Sequence, residues 1–151
     1  MSIESEDIDE ETWLNERREQ IVAYLAGTGI KHGRIGEGPA WFVFPYVSIW
    51  AIESGYARGS VGWWAISGDC PTDYVKCTGD RTPRSAMEQF SVRWYDIAAS
   101  LAQGKQHPDF TVGKDTNSKE LSHLLASRAT IFAEWVKDDS VWNDCSPIRK
   151  M

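Results

Sequence analysis

The chain has 151 residues, of which 22 are acidic and 16 basic, for a formal net charge of −6. At this length, with 42% hydrophobic and 25% charged residues, it is expected to be globular rather than disordered or fibrous. Six acids and no base fall in the first eleven residues, which leaves 16 acids and 16 bases elsewhere. We therefore expect an acidic flexible tail over residues 1–8 and a neutral single globular domain over residues 9–151.

The composition also excludes several classes of protein. No apolar run approaches the roughly 20 residues that span a bilayer, so no membrane association is expected. The start lacks the basic and apolar regions of a secretory signal, and three cysteines form no even disulfide framework, so we expect a cytoplasmic location. A neutral body argues against nucleic acid as a partner, because phosphate binding needs a basic surface.

Apolar residues recur at helical spacing in three segments. The first covers about residues 9–26. The second begins at Thr82 and Pro83, a typical N-cap followed by proline at the first helical position. The third begins at Asn117, which with Glu120 resembles a capping box. Each predicted helix is apolar on one side only, so each needs a surface to pack against.

Residues 41–66 form the most apolar part of the chain. The part at 46–53 is rich in β-branched and aromatic residues, which favours a strand. Pro45 is equally compatible with the start of a buried helix there. Because periodicity does not distinguish strand from helix in a short run that is apolar on both faces, the choice stays open, with strand preferred.

The glycine-rich residues 27–40 and the polar residues 67–82 are predicted as loops, with a short strand at 74–77 as an option. The whole pattern predicts an α+β fold. In it, a small antiparallel strand cluster at about residues 41–77 packs against three helices in two layers. A mostly α-helical bundle is the alternative.

The nearest approach to a functional signature is residues 62–74 (Gly-Trp-Trp-Ala-Ile-Ser-Gly-Asp-Cys-Pro-Thr-Asp-Tyr). Loops of small residues at strand ends often display binding groups, although Asp69 and Asp73 also suit a purely structural turn. Trp63 and Trp64 are neighbours and must point to opposite faces of a strand, so one of them faces a covering helix, a pocket or a partner. The candidate ligand- or partner-binding residues are Trp41, Trp63, Trp64, Asp69, Asp73, Tyr74 and His32.

A second candidate site is the start of the second helix. Arg81 and Arg84 lie beside free backbone N–H groups there, which is typical of an anion site. In the alternative, they pair with Asp80 and Glu88.

Neither a metal nor a cofactor is expected from the sequence. Cys70 and Cys77 are separated too widely for a zinc-binding pair, and the histidines are scattered. The chain also lacks the motifs of serine hydrolases, phosphate-binding loops and zinc proteases.

Five segments carry a family resemblance: residues 38–41 (Gly-Pro-Ala-Trp), 45–54 (Pro-Tyr-Val-Ser-Ile-Trp-Ala-Ile-Glu-Ser), 62–69 (Gly-Trp-Trp-Ala-Ile-Ser-Gly-Asp), 71–74 (Pro-Thr-Asp-Tyr) and 107–110 (His-Pro-Asp-Phe). Together they resemble a family of small uncharacterised proteobacterial proteins classed as a domain of unknown function. The resemblance covers most of the chain after the acidic tail. It implies a bacterial origin and a single compact domain, and it supplies no activity or catalytic residue.

Without a recognisable catalytic constellation, the sequence favours a non-enzymatic protein-binding module, such as a regulator, adaptor or inhibitor. The eight tryptophans suit interface anchoring, and the acidic tail suits steering towards a basic partner. The alternative is a small-molecule-binding protein or enzyme. Its site would lie where residues 63–74 meet the loop at 31–39, with Asp69, Asp73 and His32 as polar groups.

Overall fold

A computed structural model describes residues 9–105 and 118–142 of the chain. The predicted acidic tail at 1–8, the motif at 107–110 and the predicted helix cap at Asn117 lie outside the described residues. Within them, the chain divides into two compact units, residues 9–83 and residues 84–142.

The first unit begins with helix α1, Glu10–Ala26, which confirms the first predicted helix. Asp9 is its N-cap, and the Asp9 carboxylate accepts a hydrogen bond of 2.7 Å from the Thr12 N–H. This bond satisfies a donor that a helix start otherwise leaves unpaired, and it lowers the pKa of Asp9. Glu10 and Glu11 place further negative charge at the positive end of the helix dipole.

The five strands found in the described residues form one antiparallel sheet in the first unit. The order is β1-β3-β4-β5, and β2 pairs with β3 on the side where β1 also pairs. β1 and β5 are therefore edge strands. The strands are β1 (His32–Ile35), β2 (Trp41–Val43), β3 (Val47–Ser54), β4 (Val61–Gly68) and β5 (Cys70–Lys76).

These strands settle one alternative and correct two predictions. In the segment 46–53, residues 47–53 are strand and belong to β3. The loop predicted at 27–40 is wrong in part because it contains β1, and the short strand that was an option at 74–77 belongs to a longer strand, β5, which begins at Cys70. β1 is short and carries a single large apolar residue, Ile35, whereas β5 contains a proline and an aspartate, so neither shows strand periodicity. The α+β class is confirmed, and the described strands exclude a mostly helical bundle.

Helix α1 packs on one face of the sheet. Ile21 and Leu25 of the helix meet Trp50, Ile52 and Ala65 of the central strands, and all five are buried. Burial of one such large apolar side chain contributes roughly 1.5–3 kcal/mol. The opposite face of the sheet is buried as well, which explains why β3 shows no alternation of polar and apolar residues.

A chain of hydrogen bonds ties polar groups together on the α1 face. The Trp50 indole N–H donates to the Ser48 hydroxyl at 2.8 Å, and Ser48 donates to the Ser67 carbonyl at 2.9 Å. The Ser67 hydroxyl donates to the Gln20 side-chain oxygen of α1. These buried donors are thereby satisfied, and the sheet is joined to the helix by polar contacts as well as apolar ones.

The second unit contains two long helices and confirms the other two predicted helices. They are α2, Pro83–Ala102, and α3, Ser118–Lys137. Trp94 of α2 packs against Phe132 of α3, with ring centroids 5.4 Å apart. The Ser122 hydroxyl of α3 donates to the Ala98 carbonyl of α2 at 2.9 Å. The predicted apolar stripe of α2 is buried throughout: Met87, Phe90, Trp94, Ile97, Ala98 and Leu101.

A short 3-10 helix, Asp139–Trp142, follows α3. Trp142 is buried, and its indole N–H donates to the Trp135 carbonyl at 2.8 Å. Among the described residues, no helix has the length and apolar character that crossing a membrane requires.

Candidate functional site

The adjacent tryptophans of β4 point to opposite faces of the sheet. Trp63 is half-buried and packs with Tyr74 against the cluster that α1 covers. Trp64 lies opposite Ala51 and is fully buried on the other face. Both side chains therefore serve as packing groups.

The two predicted aspartates lie in different environments. Asp69 is exposed where β4 turns into β5, and its N–H donates to the Tyr46 carbonyl at 2.7 Å. Asp73 lies within β5 opposite Ile66 and is fully buried. Trp41, another candidate, is a buried residue of β2 opposite Ile49.

Each arginine of the predicted anion site makes a contact within its own unit. Arg81 donates to the Val61 carbonyl at 3.2 Å. Arg84 donates at 2.8 Å to the Val136 carbonyl and at 2.8 Å to the Asp139 carboxylate. Asp139 thus takes the place of the expected partner Glu88.

Cys77 follows β5 and is partly buried. Burial raises the pKa of its thiol, an effect only partly offset by the Arg81 charge and the Trp64 indole N–H. A nucleophilic cysteine needs a lowered pKa, so Cys77 has the properties of a structural thiol. The described residues also contain no group of three His, Cys, Asp or Glu side chains arranged to hold a metal ion.

An irregular pairing between β1 and β3 creates the most distinctive polar feature of the first unit. His32 pairs with Ser54 and Ile35 pairs with Ile52, so Gly33 and Arg34 together face the single residue Glu53. This two-against-one arrangement is a β-bulge, which leaves an extra N–H without a ladder partner. The Arg34 N–H donates instead to the Glu53 carboxylate at 2.8 Å.

Glu53 is buried and accepts bonds from two parts of the chain. Besides the Arg34 N–H, it accepts from the Arg34 guanidinium at 3.3 Å and from the Gly59 N–H at 2.7 Å. These donors hold the pKa of Glu53 at about 2, the Arg34 N–H having the largest effect. A Cβ at residue 33 would clash with the Glu53 carboxylate unless that side chain moved, so the close approach favours glycine there. Glu53 thus fixes the loop at 55–60 against β1.

Two open grooves lie side by side at this end of the sheet and share Arg34. One, of about 540 Å³, is lined by Arg18, Arg34, Ile35, Gly36 and Glu37. The other, of about 500 Å³, is lined by residues 31–34, 53–56 and 58. Both exceed the roughly 300 Å³ at the low end of ligand sites. We call the basic and aromatic part of their lining the basic surface, made up of Arg18, Lys31, His32, Arg34, Tyr56 and Arg58.

The loop between β3 and β4 presents the most exposed aromatic side chain of the described residues. Tyr56 is 80% exposed, and the Lys31 ammonium lies 5.5 Å from its ring centroid. Arg58, on the same loop, is exposed. Tyrosine and arginine are the residue types that most often dominate binding energy at protein interfaces.

Arg18 of α1 occupies the outer edge of β1. Its guanidinium donates to the Ile35 carbonyl at 2.9 Å and to the Gly36 carbonyl at 2.8 Å. Because the Gly36 N–H bonds to Ala51 of β3, the Ile35 carbonyl points away from β3, where another strand would otherwise pair. Arg18 therefore blocks strand addition at this point.

Comparison with known proteins places the chain in a family. A family model described as Domain of unknown function (DUF4826) matches residues 7–142. The chain belongs to the DUF4826 family. No curated protein and no solved structure matches this DUF4826 chain.

Of the residues proposed from the DUF4826 sequence, His32 alone lines either of these two grooves. Its Nδ1 lies 2.8 Å from the Gly33 carbonyl. The sequence does not point to the other members of the basic surface, because Lys31, Arg34, Tyr56 and Arg58 come from glycine-containing segments without periodicity and Arg18 lies on the polar side of a helix. One signal was available: Glu53 is the only acid in the apolar segment 41–66 and so must have buried donors.

Proposed function

We propose that this DUF4826 protein is a non-enzymatic protein-binding module of the bacterial cytoplasm, and that the basic surface is its contact face. The observation that carries the proposal is Tyr56, which is 80% exposed on a loop that Glu53 holds in place. A large aromatic side chain on a fixed loop suits binding, because little conformational entropy is lost when a partner covers it. The cysteine pattern and the family resemblance support the location and origin.

A matched pair of tyrosine variants tests this proposal. Tyr46 is also exposed, at 56%, but it lies in the turn between β2 and β3, away from the basic surface. Immobilised wild type, Tyr56→Ala and Tyr46→Ala are incubated with lysate of a bacterium that encodes the protein, and bound proteins are identified. A partner held by wild type and Tyr46→Ala but lost from Tyr56→Ala supports the proposal. Equal capture by all three variants, or none by any, contradicts it.

The acidic residues at the start of the chain support a further element of this proposal, a basic region on the partner that is distinct from the segment contacted by the basic surface. Opposite charges attract over several ångströms and accelerate encounter. Removal of residues 1–8 then slows association in a salt-dependent manner, which stopped-flow or surface plasmon resonance measures. An unchanged association rate contradicts the steering role.

A small-molecule site is the second candidate, favoured by the groove of about 500 Å³ that contains His32. With Nδ1 against the Gly33 carbonyl, Nε2 is the ring nitrogen left for a ligand. A thermal-shift screen of anionic metabolites tests this candidate, with His32→Ala as the comparison. Stabilisation of wild type alone supports it, and the lack of any stabilising compound counts against it.

A further inference from the structure

We propose that the partner segment recognised by the basic surface is acidic and extended, with carboxylates in both grooves; this rests on the proposed function. The grooves are lined by four bases and two acids. One of the acids, Glu53, is buried and committed to Arg34 and Gly59. The exposed lining is therefore positive, in a chain whose formal net charge is −6.

The two guanidinium groups that line the first groove retain donors for a ligand. The described bonds of Arg34 to Glu53 use its N–H, Nε and Nη2, and the bonds of Arg18 to backbone carbonyls use Nε and Nη2. No described bond uses Nη1 of either residue. Because both side chains are held in place by these bonds, they present preorganised donors to a carboxylate.

The second groove carries exposed positive charges beside an aromatic ring. Lys31 and Arg58 are exposed and flank Tyr56 at the groove. The ring of Tyr56 provides an apolar contact for the chain that carries the carboxylates. Since Arg34 lies in both grooves, a ligand that spans them crosses Arg34, whose side chain is 69% exposed. This geometry fits an extended peptide better than a single small anion.

Recognition proceeds through side chains rather than by addition of a strand. The Arg18 guanidinium already donates to the Ile35 carbonyl, which a new strand would need as a hydrogen-bond acceptor. A nucleic acid is disfavoured relative to the acidic segment, because it carries a charge on every nucleotide and is therefore repelled more strongly by Glu37 and by the acidic chain.

Charge reversal at one exposed residue, with a matched control, tests the inference. Arg58→Glu reverses a charge in the second groove, whereas Lys76→Glu makes the same change in net charge at the exposed end of β5. The probe is a fluorescein-labelled ten-residue peptide of alternating Glu and Ser, compared with a Gln-and-Ser peptide and a ten-nucleotide single-stranded DNA. Fluorescence anisotropy at low and at physiological salt gives the Kd values.

We expect wild type to bind the acidic peptide, Arg58→Glu to bind it about tenfold or more weakly, and Lys76→Glu to bind it within about twofold of wild type. Higher salt weakens binding, and the Gln-containing peptide does not bind. Equal losses in both variants, binding of the Gln peptide, or tighter binding of the DNA overturns the inference. If the peptide fails to bind while Tyr56→Ala still loses a captured partner, the acidic ligand is wrong and the proposed function stands. If the acidic peptide fails to bind and Tyr56→Ala loses no captured partner, both the acidic ligand and the proposed function are wrong.

Discussion

Glu53 is a buried carboxylate in a sheet that is otherwise largely apolar, and it is tolerated because donors of Arg34 and Gly59 are directed at it. The backbone N–H groups of Arg34 and Gly59 and the Arg34 guanidinium together supply its hydrogen bonds. Removal of water from a charge is costly unless such bonds replace the lost hydration. The residue therefore stabilises the fold only in its ionised form.

The depressed pKa of Glu53 makes its contribution depend on pH. The folded value of about 2 lies below the ordinary 4.5, so the stabilisation is complete above about pH 5 and is lost as the pH falls towards 2. We expect Glu53→Gln to lower the melting temperature by several degrees at pH 7, because the amide NH₂ group meets another donor. Urea unfolding of both proteins from pH 7 to pH 3 measures their difference in free energy of unfolding. This difference should narrow as the pH falls. A difference that is constant or widens contradicts this role, and Glu37→Gln is the control.

A glycine pair tests the packing around the same carboxylate. Gly33→Ala places a Cβ against the Glu53 carboxylate, whereas a Cβ at Gly38 meets nothing within 4 Å. We expect Gly33→Ala to destabilise the protein by about 1–3 kcal/mol and Gly38→Ala to change stability by less than about 0.5 kcal/mol. Chemical denaturation of the two variants measures both values. Similar effects of the two substitutions would show that the contact with Glu53 is not the reason for glycine at residue 33.

At the level of elements, the edge of β1 is protected by a side chain of α1. An open strand edge invites pairing with another molecule, and proteins commonly cover it. Here the Arg18 guanidinium takes two carbonyls near the end of β1, which joins the helix to the strand. The planar fork of arginine suits this task, and a lysine ammonium lacks that geometry.

Arg18→Lys should therefore destabilise the protein although it keeps the charge. We expect a loss of about 1–2 kcal/mol, since one of the two bonds has no equivalent, and a greater tendency to aggregate. Arg58→Lys is the control because Arg58 is exposed. Denaturation midpoints and light scattering after mild heating provide the measurements. A variant as stable as Arg58→Lys would show that the Arg18 bonds contribute nothing.

The helices and strands also differ in how well they can be predicted from the sequence. The three helices follow from apolar stripes and helix-start residues, and β3 and β4 follow from β-branched and aromatic content. β1 and β5 do not, because the bulge at Gly33 depends on Glu53 from another strand and Asp73 is buried within β5. The basic surface was equally hidden, since its residues meet only after the loop at 55–60 is fixed. His32 was the exception.

For the whole molecule, the distribution of charge matters more than the net value of −6. Acids dominate the first eleven residues, whereas bases outnumber acids two to one in the lining of the two grooves. Acids anywhere on the same molecule oppose binding of an acidic ligand through long-range repulsion, to an extent that salt reduces.

Deletion of residues 1–8 removes three acids and no base, so the formal charge changes from −6 to −3. We expect the shortened protein to bind an acidic peptide more tightly at low salt, by a few-fold, and to do so with an unchanged melting temperature. Anisotropy titrations at two salt concentrations test the first expectation and calorimetry the second. If the gain in affinity persists at high salt, long-range repulsion is not its cause.

The hydrogen bonds of Glu53 have one further consequence, for motion. The amides of Arg34 and Gly59 are distant in sequence but donate to the same carboxylate. Neither bond is independent of the other, because withdrawal of that side chain releases both amides. Their exchange with solvent deuterium should therefore report a single opening event, with similar protection in wild type and a joint loss in Glu53→Gln.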